Sequence, residues 1–123
     1  MKNLSNDKSS YLINVKLPYV QSIADNLTRP PMDEWNEGRD VDNEGEFSAF
    51  DYLQDALDIE YIVNSKGEYL GSRLLVAFGG PNIWINTRTK QVEGYWWGDS
   101  CTMSYRRDEM GIDDAVGELW ACR

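Results

Sequence analysis

Histidine is absent from the 123 residues of this chain. Histidine is the commonest general base, the commonest metal ligand and the usual partner of a nucleophilic serine or cysteine. An enzyme built on this sequence would therefore depend on carboxylates, tyrosine, lysine or cysteine alone, although carboxylate-only chemistry does exist. We expect a protein that is not an enzyme.

Several other signals are also missing. No run of about 18 apolar residues occurs, so we expect no membrane span. The polar N-terminus MKNLSNDKSS has no apolar signal region, so we expect a cytoplasmic protein. The two cysteines, Cys101 and Cys122, form neither a CxxC pair nor a zinc spacing, which favours reduced thiols, with a disulfide between them as the alternative. The glycines of FGGPN lack the spacing and lysine of a P-loop, and no cofactor is expected.

Acidic charge is abundant and concentrated in one part of the chain. Residues 32–60 contain eleven aspartates and glutamates and one base, Arg39, so this stretch carries a charge of −10 in a chain whose net charge is −9. Such a field repels nucleic acid and attracts cations or basic proteins. We therefore expect a partner with a basic surface and no direct contact with nucleic acid.

The distribution of apolar residues predicts one α+β domain over residues 1–123, in two layers. Alternating apolar residues separated by turn signals predict a four-stranded antiparallel sheet over residues 59–98. Apolar residues at helical spacing predict the flanking helices, after Pro18, over residues 48–58 and from Ile112 onward. The remaining predictions are a flexible tail at residues 1–9, a strand at 11–17 and an acidic loop at 32–47.

The stretch RDVDNEGEFSAFD, residues 39–51, partly follows the EF-hand pattern D-x-[DN]-x-[DN]-G-x5-E. Its oxygen-bearing side chains make it a candidate calcium loop, with ligands Asp40, Asp42, Glu44 and Asp51. Two positions depart from the pattern, because Glu44 is longer than the usual ligand and Asp51 is shorter than the usual glutamate. A lone calcium-binding loop at residues 40–51 is an alternative function.

A local explanation accounts for the same residues without a metal. Ser48 is a good N-cap and Asp51 follows at the spacing of a capping box. Phe47 and Tyr52 then occupy the positions of a hydrophobic staple. We therefore expect no metal site, and an acidic loop that remains hydrated.

The aromatic hairpin NIWINTRTKQVEGYWWGDS is the second informative stretch. A turn centred on Arg88 and Thr89 places Trp84 opposite Glu93. Strand alternation then puts Trp84, Glu93, Tyr95 and Trp97 on one face. The other face carries Ile83, Ile85, Val92 and Trp96 and is the natural core side. The aromatic face is covered by a helix of the domain, by a partner, or by a second copy of the chain in a homodimer.

Two neighbouring arginines, Arg106 and Arg107, are a candidate anion-binding pair. Together with aromatic stacking they could hold a nucleotide, which makes a small-molecule or nucleotide-sequestering module a further alternative. The alternative for these arginines is local salt bridging with neighbouring acids such as Asp108.

The core GGPNIWINTRTKQVEGYWWGD resembles small acidic proteins of bacteriophages and other mobile elements, over residues 59–120. The resemblance implies an inhibitor of host defence, such as an anti-CRISPR or anti-restriction protein. Together with the charge, it predicts a non-enzymatic inhibitor whose acidic surface imitates nucleic-acid phosphates and whose aromatic side chains anchor a host effector. The predicted partner-binding residues are Asp33, Glu34, Trp35, Glu37, Asp40, Asp42, Glu44, Glu46, Trp84, Tyr95 and Trp97.

Overall fold

The computed structural model describes residues 17–123, which form five helices and five strands. In chain order these are α1 (Leu17–Thr28), α2 (Met32–Trp35), α3 (Val41–Glu44), α4 (Ala49–Gln54), β1 (Asp58–Val63), β2 (Tyr69–Ala77), β3 (Asn82–Asn86), β4 (Gln91–Trp96), β5 (Asp99–Ser104) and α5 (Ile112–Ala121). The predicted tail at residues 1–9 and strand at 11–17 lie outside the described residues, except that Leu17 begins α1.

The first helix, α1, is amphipathic and turns its apolar stripe to the interior. Val20, Ala24 and Leu27 lie on one helical face, and all three are buried. The helix ends at Thr28, just before a pair of prolines that cannot continue it. The predicted stripe after Pro18 is confirmed.

The five strands pair in sequence order as one antiparallel sheet. The sequence predicts four strands, and the structure adds β5, which pairs with β4 along its whole length. The sequence of β5, DSCTMS, is dominated by small polar residues, and only Cys101 and Met103 pack against the core. Pairing with β4 satisfies its backbone groups, so a strand forms where the side-chain pattern is weak.

The core lies between one face of the sheet and three helices, which gives the predicted two-layer α+β domain. Leu74, Ile83, Ile85 and Val92 are fully buried on this face of the sheet. Each such side chain contributes roughly 1.5–3 kcal/mol when it is removed from water. The helices supply the opposite wall, with α1, α4 and α5 contributing Val20, Ala24, Leu27, Ala49, Leu53, Ile112, Ala115 and Val116.

The closing helix α5 is capped by a side chain from the preceding loop. The two carboxylate oxygens of Asp108 accept hydrogen bonds from the backbone nitrogens of Ile112 and Asp113, at 2.7 Å and 2.8 Å. These bonds satisfy two of the nitrogens that a helix start leaves without partners. The predicted closing helix is therefore confirmed.

The helix predicted over residues 48–58 is shorter than expected. It spans Ala49–Gln54, and its buried residues are Ala49 and Leu53. Phe50 and Leu57, two of the apolar residues whose helical spacing predicts a helix over residues 48–58, are 43% and 61% exposed. The helix cannot reach Leu57, because the backbone nitrogen of Leu57 donates to Leu75 of β2 and leads into β1.

Candidate functional site

The acidic loop, residues 32–47, presents its carboxylates to solvent. Its seven acidic side chains are all exposed. Among residues 17–123, no arginine or lysine nitrogen lies within 4.0 Å of any of their carboxylates. The loop is therefore a charged surface that the described part of the domain does not neutralise. The seven residues are Asp33, Glu34, Glu37, Asp40, Asp42, Glu44 and Glu46.

The short helices α2 and α3, together with the side-chain contacts of Asn36, give the acidic loop a definite shape. Asn36, which follows α2, accepts a hydrogen bond from the backbone nitrogen of Phe47 at 2.7 Å. Its amide nitrogen lies 3.5 Å from a carboxylate oxygen of Glu46. These contacts join residues ten and eleven positions apart, so they close the base of the loop.

Trp35 attaches the acidic loop to the helical layer. Its ring centroid lies 5.2 Å from that of Phe47 and 5.7 Å from that of Tyr52 in α4. The two residues predicted to form a hydrophobic staple therefore both contact Trp35. Trp35, predicted as a partner anchor, is only partly exposed and packs inside the domain.

Arg39, the one base of residues 32–60, organises the loop backbone. Its guanidinium donates to the carbonyl of Gly45 at 3.1 Å and lies 3.5 Å from the carbonyl of Glu44. Its ion pair, at 3.5 Å, is with Asp51 in α4. Arg39 thus holds the loop backbone in place while its ion pair is with α4 and not with a loop carboxylate.

The structure contains the predicted capping box at the start of α4. The Ser48 hydroxyl accepts from the backbone nitrogen of Asp51, and an Asp51 carboxylate oxygen accepts from the backbone nitrogen of Ser48. Hydrogen bonds from the Ser48 backbone and side chain, with a contribution from the nearby Arg39 charge, lower the pKa of Asp51. Asp51 is thus held as a helix cap.

The calcium-loop alternative requires a different arrangement of the same side chains. Among residues 17–123, no three histidine, cysteine, aspartate or glutamate side chains are grouped so that they could hold a metal ion. Asp40, Asp42, Glu44 and Asp51 are therefore not gathered as calcium ligands. The capping box explains the position of Asp51 without a metal.

The aromatic hairpin has the predicted register, with Trp84 opposite Glu93 and Ile85 opposite Val92. Trp84 and Tyr95 lie on the face of the sheet that is turned away from α1, α4 and α5. None of the described helices packs over them, because the core of residues 17–123 lies on the other face. This is the aromatic face that the sequence leaves unassigned.

A hydrogen-bonded network occupies the centre of that face. Glu93, only 9% exposed, forms an ion pair with Arg73 at 3.0 Å and accepts from Asn86 at 3.2 Å and from Tyr95 at 3.1 Å. The Arg73 guanidinium also lies 4.2 Å from the centre of the Trp84 ring. Trp84 and Tyr95 therefore already make contacts within the domain. This network could not be predicted from the hairpin sequence, because Arg73 comes from β2.

Trp97 is not on the strand face where the sequence placed it. β4 ends at Trp96, and Trp97 and Gly98 form a two-residue turn with positive φ angles of 50° and 82°. A bulky side chain at positive φ costs of order 1–3 kcal/mol. Trp97 is 69% exposed and its ring stacks on Trp96 at 5.1 Å. The prediction is wrong here because alternation stops where the chain reverses.

The predicted partner-binding residues therefore fall on three separate surfaces. The acidic loop joins the helical layer through Trp35, whereas Trp84 and Tyr95 lie on the opposite side of the sheet. The Trp97 turn lies at the start of β5, while the loop follows the end of α1. The backbone nitrogen of Arg106, just beyond β5, donates to Thr28 at the end of α1, so the length of β5, about 20 Å, separates the Trp97 turn from the end of α1.

The two candidate anion-binding arginines point into different clefts. Arg106 lines one cleft, and Arg107 lines another of about 520 Å³ and pairs with Glu109 at 3.8 Å. Arg29, at the end of α1, lines both. Sequence reasoning missed Arg29, which lies 77 positions before Arg106 in the chain. Neither cleft is lined by tryptophan or tyrosine, so the aromatic rings expected to stack on a nucleotide are not gathered there.

Comparisons with protein-family models, curated proteins and solved structures find no significant match to this chain. None of the described helices combines the length and the apolar character that crossing a membrane requires. Cys101, which is partly buried, and Cys122, which is exposed, do not form a disulfide with each other. Function must therefore be inferred from the geometry of these surfaces.

Proposed function

We propose that this chain is a non-enzymatic inhibitor that binds a basic surface of a host-defence protein through its acidic loop. In this proposal the carboxylates occupy a surface that normally receives nucleic-acid phosphates. The phage-type resemblance of residues 59–120 supplies the context of host defence, and the loop supplies the binding chemistry. The chain itself would not bind nucleic acid, because like charges repel.

The observation that carries the proposal is that the seven loop carboxylates are exposed and have no ion pair with an arginine or lysine of residues 17–123. A stable protein gains nothing from crowding unpaired like charges on one loop, since their repulsion opposes folding. A cationic partner would relieve that repulsion and would be steered to the loop at long range.

The shape of the loop also supports recognition by a folded surface. The loop is held in one arrangement before binding by the hydrogen bonds of Asn36, the backbone contacts of Arg39 and the packing of Trp35. A loop that is already ordered loses less conformational entropy on association. Fixed carboxylates can therefore match a fixed row of lysines or arginines.

The test compares two charge-reversal variants that change the net charge equally. The loop variant carries Asp33→Lys, Glu34→Lys, Glu37→Lys and Asp42→Lys. The control variant carries Asp58→Lys, Glu68→Lys, Asp114→Lys and Glu118→Lys, four exposed acids outside the loop. Binding to a labelled decalysine peptide is measured by fluorescence anisotropy at ionic strengths of about 0.01 M and about 1 M.

We expect the loop variant to bind decalysine at least tenfold more weakly than the native chain at low salt, a change of about 1.4 kcal/mol. The control variant should lose much less affinity, and high salt should abolish the difference. A host protein captured on the native chain should be released by duplex DNA or RNA. Equal losses in the two variants, or capture that nucleic acid does not reverse, would reject phosphate imitation by the loop.

A further inference from the structure

A cleft beside the acidic loop has walls suited to an apolar side chain. It measures about 520 Å³ and lies between the α1–α2 connection, the start of α4 and the loop before α5. Half of its lining residues are apolar, and two are methionines, whose flexible side chains adapt to different occupants. The apolar lining residues are Pro30, Met32, Phe47, Ala49 and Met110.

The cleft is continuous with the acidic loop at both ends of that loop. Met32 and Phe47, the first and last residues of the loop, both line the cleft. A neighbouring concavity shares Arg29, Pro30 and Met32 with the cleft and extends to Asp33 and Glu34. A chain segment lying in this groove would therefore touch apolar walls and exposed carboxylates within a few residues.

The charges around the cleft favour a cationic segment with an uncharged side chain inside. On the loop side the groove meets Asp33 and Glu34, which no described base neutralises. Within the cleft lining, Arg107 is paired with Glu109, so its charge is partly compensated. Arg29 lines both the cleft and the concavity without an ion pair to Asp33 or Glu34, and its charge disfavours a cation within the cleft itself.

We propose that the cleft receives one large apolar side chain from a basic segment of the partner, while neighbouring lysines or arginines of that segment contact the acidic loop. This inference rests on the proposed function and names the anchor of that interface. The exposed Trp97 lies at the end of β5 away from α1 and does not line the cleft, so the anchor beside the loop is a recess in this chain that a partner side chain fills. Binding energy at interfaces is concentrated at such buried anchors.

The test uses three synthetic nonapeptides that differ in one feature at a time. The first has phenylalanine between two runs of four lysines, the second replaces phenylalanine with alanine, and the third replaces all lysines with glutamates. Affinities are measured by calorimetry for the native chain, for the Met32→Gln and Met110→Gln variants, and for a Leu70→Gln control. Leu70 is an exposed apolar residue of β2 that does not line the cleft.

We expect phenylalanine to strengthen binding of the lysine peptide at least fivefold over alanine. Either methionine variant should remove most of this gain and leave the alanine peptide unaffected, which also shows that the variant is folded. The Leu70→Gln control should keep the gain.

Three results would overturn the inference. Equal affinity for the phenylalanine and alanine peptides would show that the cleft is not the anchor, while the charge-based function would stand. Tighter binding of the glutamate peptide, or of ATP in the same assay, would show that Arg29 and Arg107 make the cleft an anion site. Failure of both lysine peptides to bind would reject the proposed function together with this inference.

Discussion

At the scale of single residues, close backbone contacts decide which side chains the sheet accepts. Gly71 lies in β2 beneath the loop that joins β3 and β4. A Cβ atom added there would lie 2.6 Å from the Cβ, 3.0 Å from the Cα and 3.1 Å from the backbone nitrogen of Arg88. Two of these atoms belong to the backbone, so a side-chain rotation cannot relieve the overlap.

We predict that Gly71→Ala lowers the free energy of unfolding by roughly 1–3 kcal/mol, the usual cost of inserting a methyl group into a packed site. Urea unfolding followed by tryptophan fluorescence measures the change. The control is Gly80→Ala, where the nearest atom, in the Trp96 ring, lies 4.0 Å from the added Cβ. A Gly71→Ala protein as stable as Gly80→Ala would contradict the close approach.

At the scale of elements, a polar cluster joins β2, the β3–β4 loop and α5. The Thr87 hydroxyl accepts from the backbone nitrogen of Ser72 at 2.8 Å and donates to the Asp113 carboxylate at 2.7 Å. Tyr69 donates to the same carboxylate oxygen at 2.7 Å. Ser72 and Thr87 are buried, so these groups depend on one another for hydrogen bonds.

We predict that Thr87→Val destabilises the protein by roughly 1–3 kcal/mol, because valine keeps the shape but leaves the Ser72 nitrogen and the Asp113 carboxylate short of a partner. Thermal unfolding followed by circular dichroism measures the effect. Thr102→Val, on the exposed face of β5, is the matched control and should change stability by less than about 0.5 kcal/mol. Equal effects of the two substitutions would mean that the cluster does not join α5 to the sheet.

At the scale of the whole molecule, partly or fully buried tyrosines link stability to alkaline pH. Burial raises the pKa of Tyr52 to about 12 and, together with hydrogen bonding to Asp113, raises the pKa of Tyr69 to about 12. Burial also raises the pKa of Tyr105. In the unfolded chain these phenols titrate near pH 10. The folded protein therefore keeps protons that the unfolded chain has lost.

We predict that the free energy of unfolding falls as pH rises from about 10 to about 12, because the unfolded state binds fewer protons in this range. Urea unfolding at a series of pH values measures the slope. Tyr52→Phe should make the slope shallower, because it removes one of the buried phenols. A slope that Tyr52→Phe leaves unchanged would show that this phenol does not control alkaline stability.

Much of the architecture could be predicted because local chemistry specifies it. The stripe of α1, the cap of α4 by Ser48 and the pairing of Trp84 with Glu93 follow from periodicity and turn positions. The position of Trp97 could not be predicted from alternation, because a chain reversal interrupts the alternation without a strong signal. The strand β5 could not be predicted from its side-chain pattern, because its backbone pairing with β4 stabilises it.

The features of the candidate site also divide into those that the sequence predicts and those that depend on tertiary packing. The sequence alone determined how many carboxylates the acidic loop carries and that histidine chemistry is excluded, since both depend only on composition. Tertiary structure alone decided that Arg39 pairs with Asp51 of α4 and not with a loop carboxylate. It also decided that Arg29 and Arg107 line the same cleft as Met110. Finally, it placed Trp84 on the side of the sheet opposite the helical layer that carries the loop. These contacts join residues far apart in the chain, and packing in three dimensions brings them together.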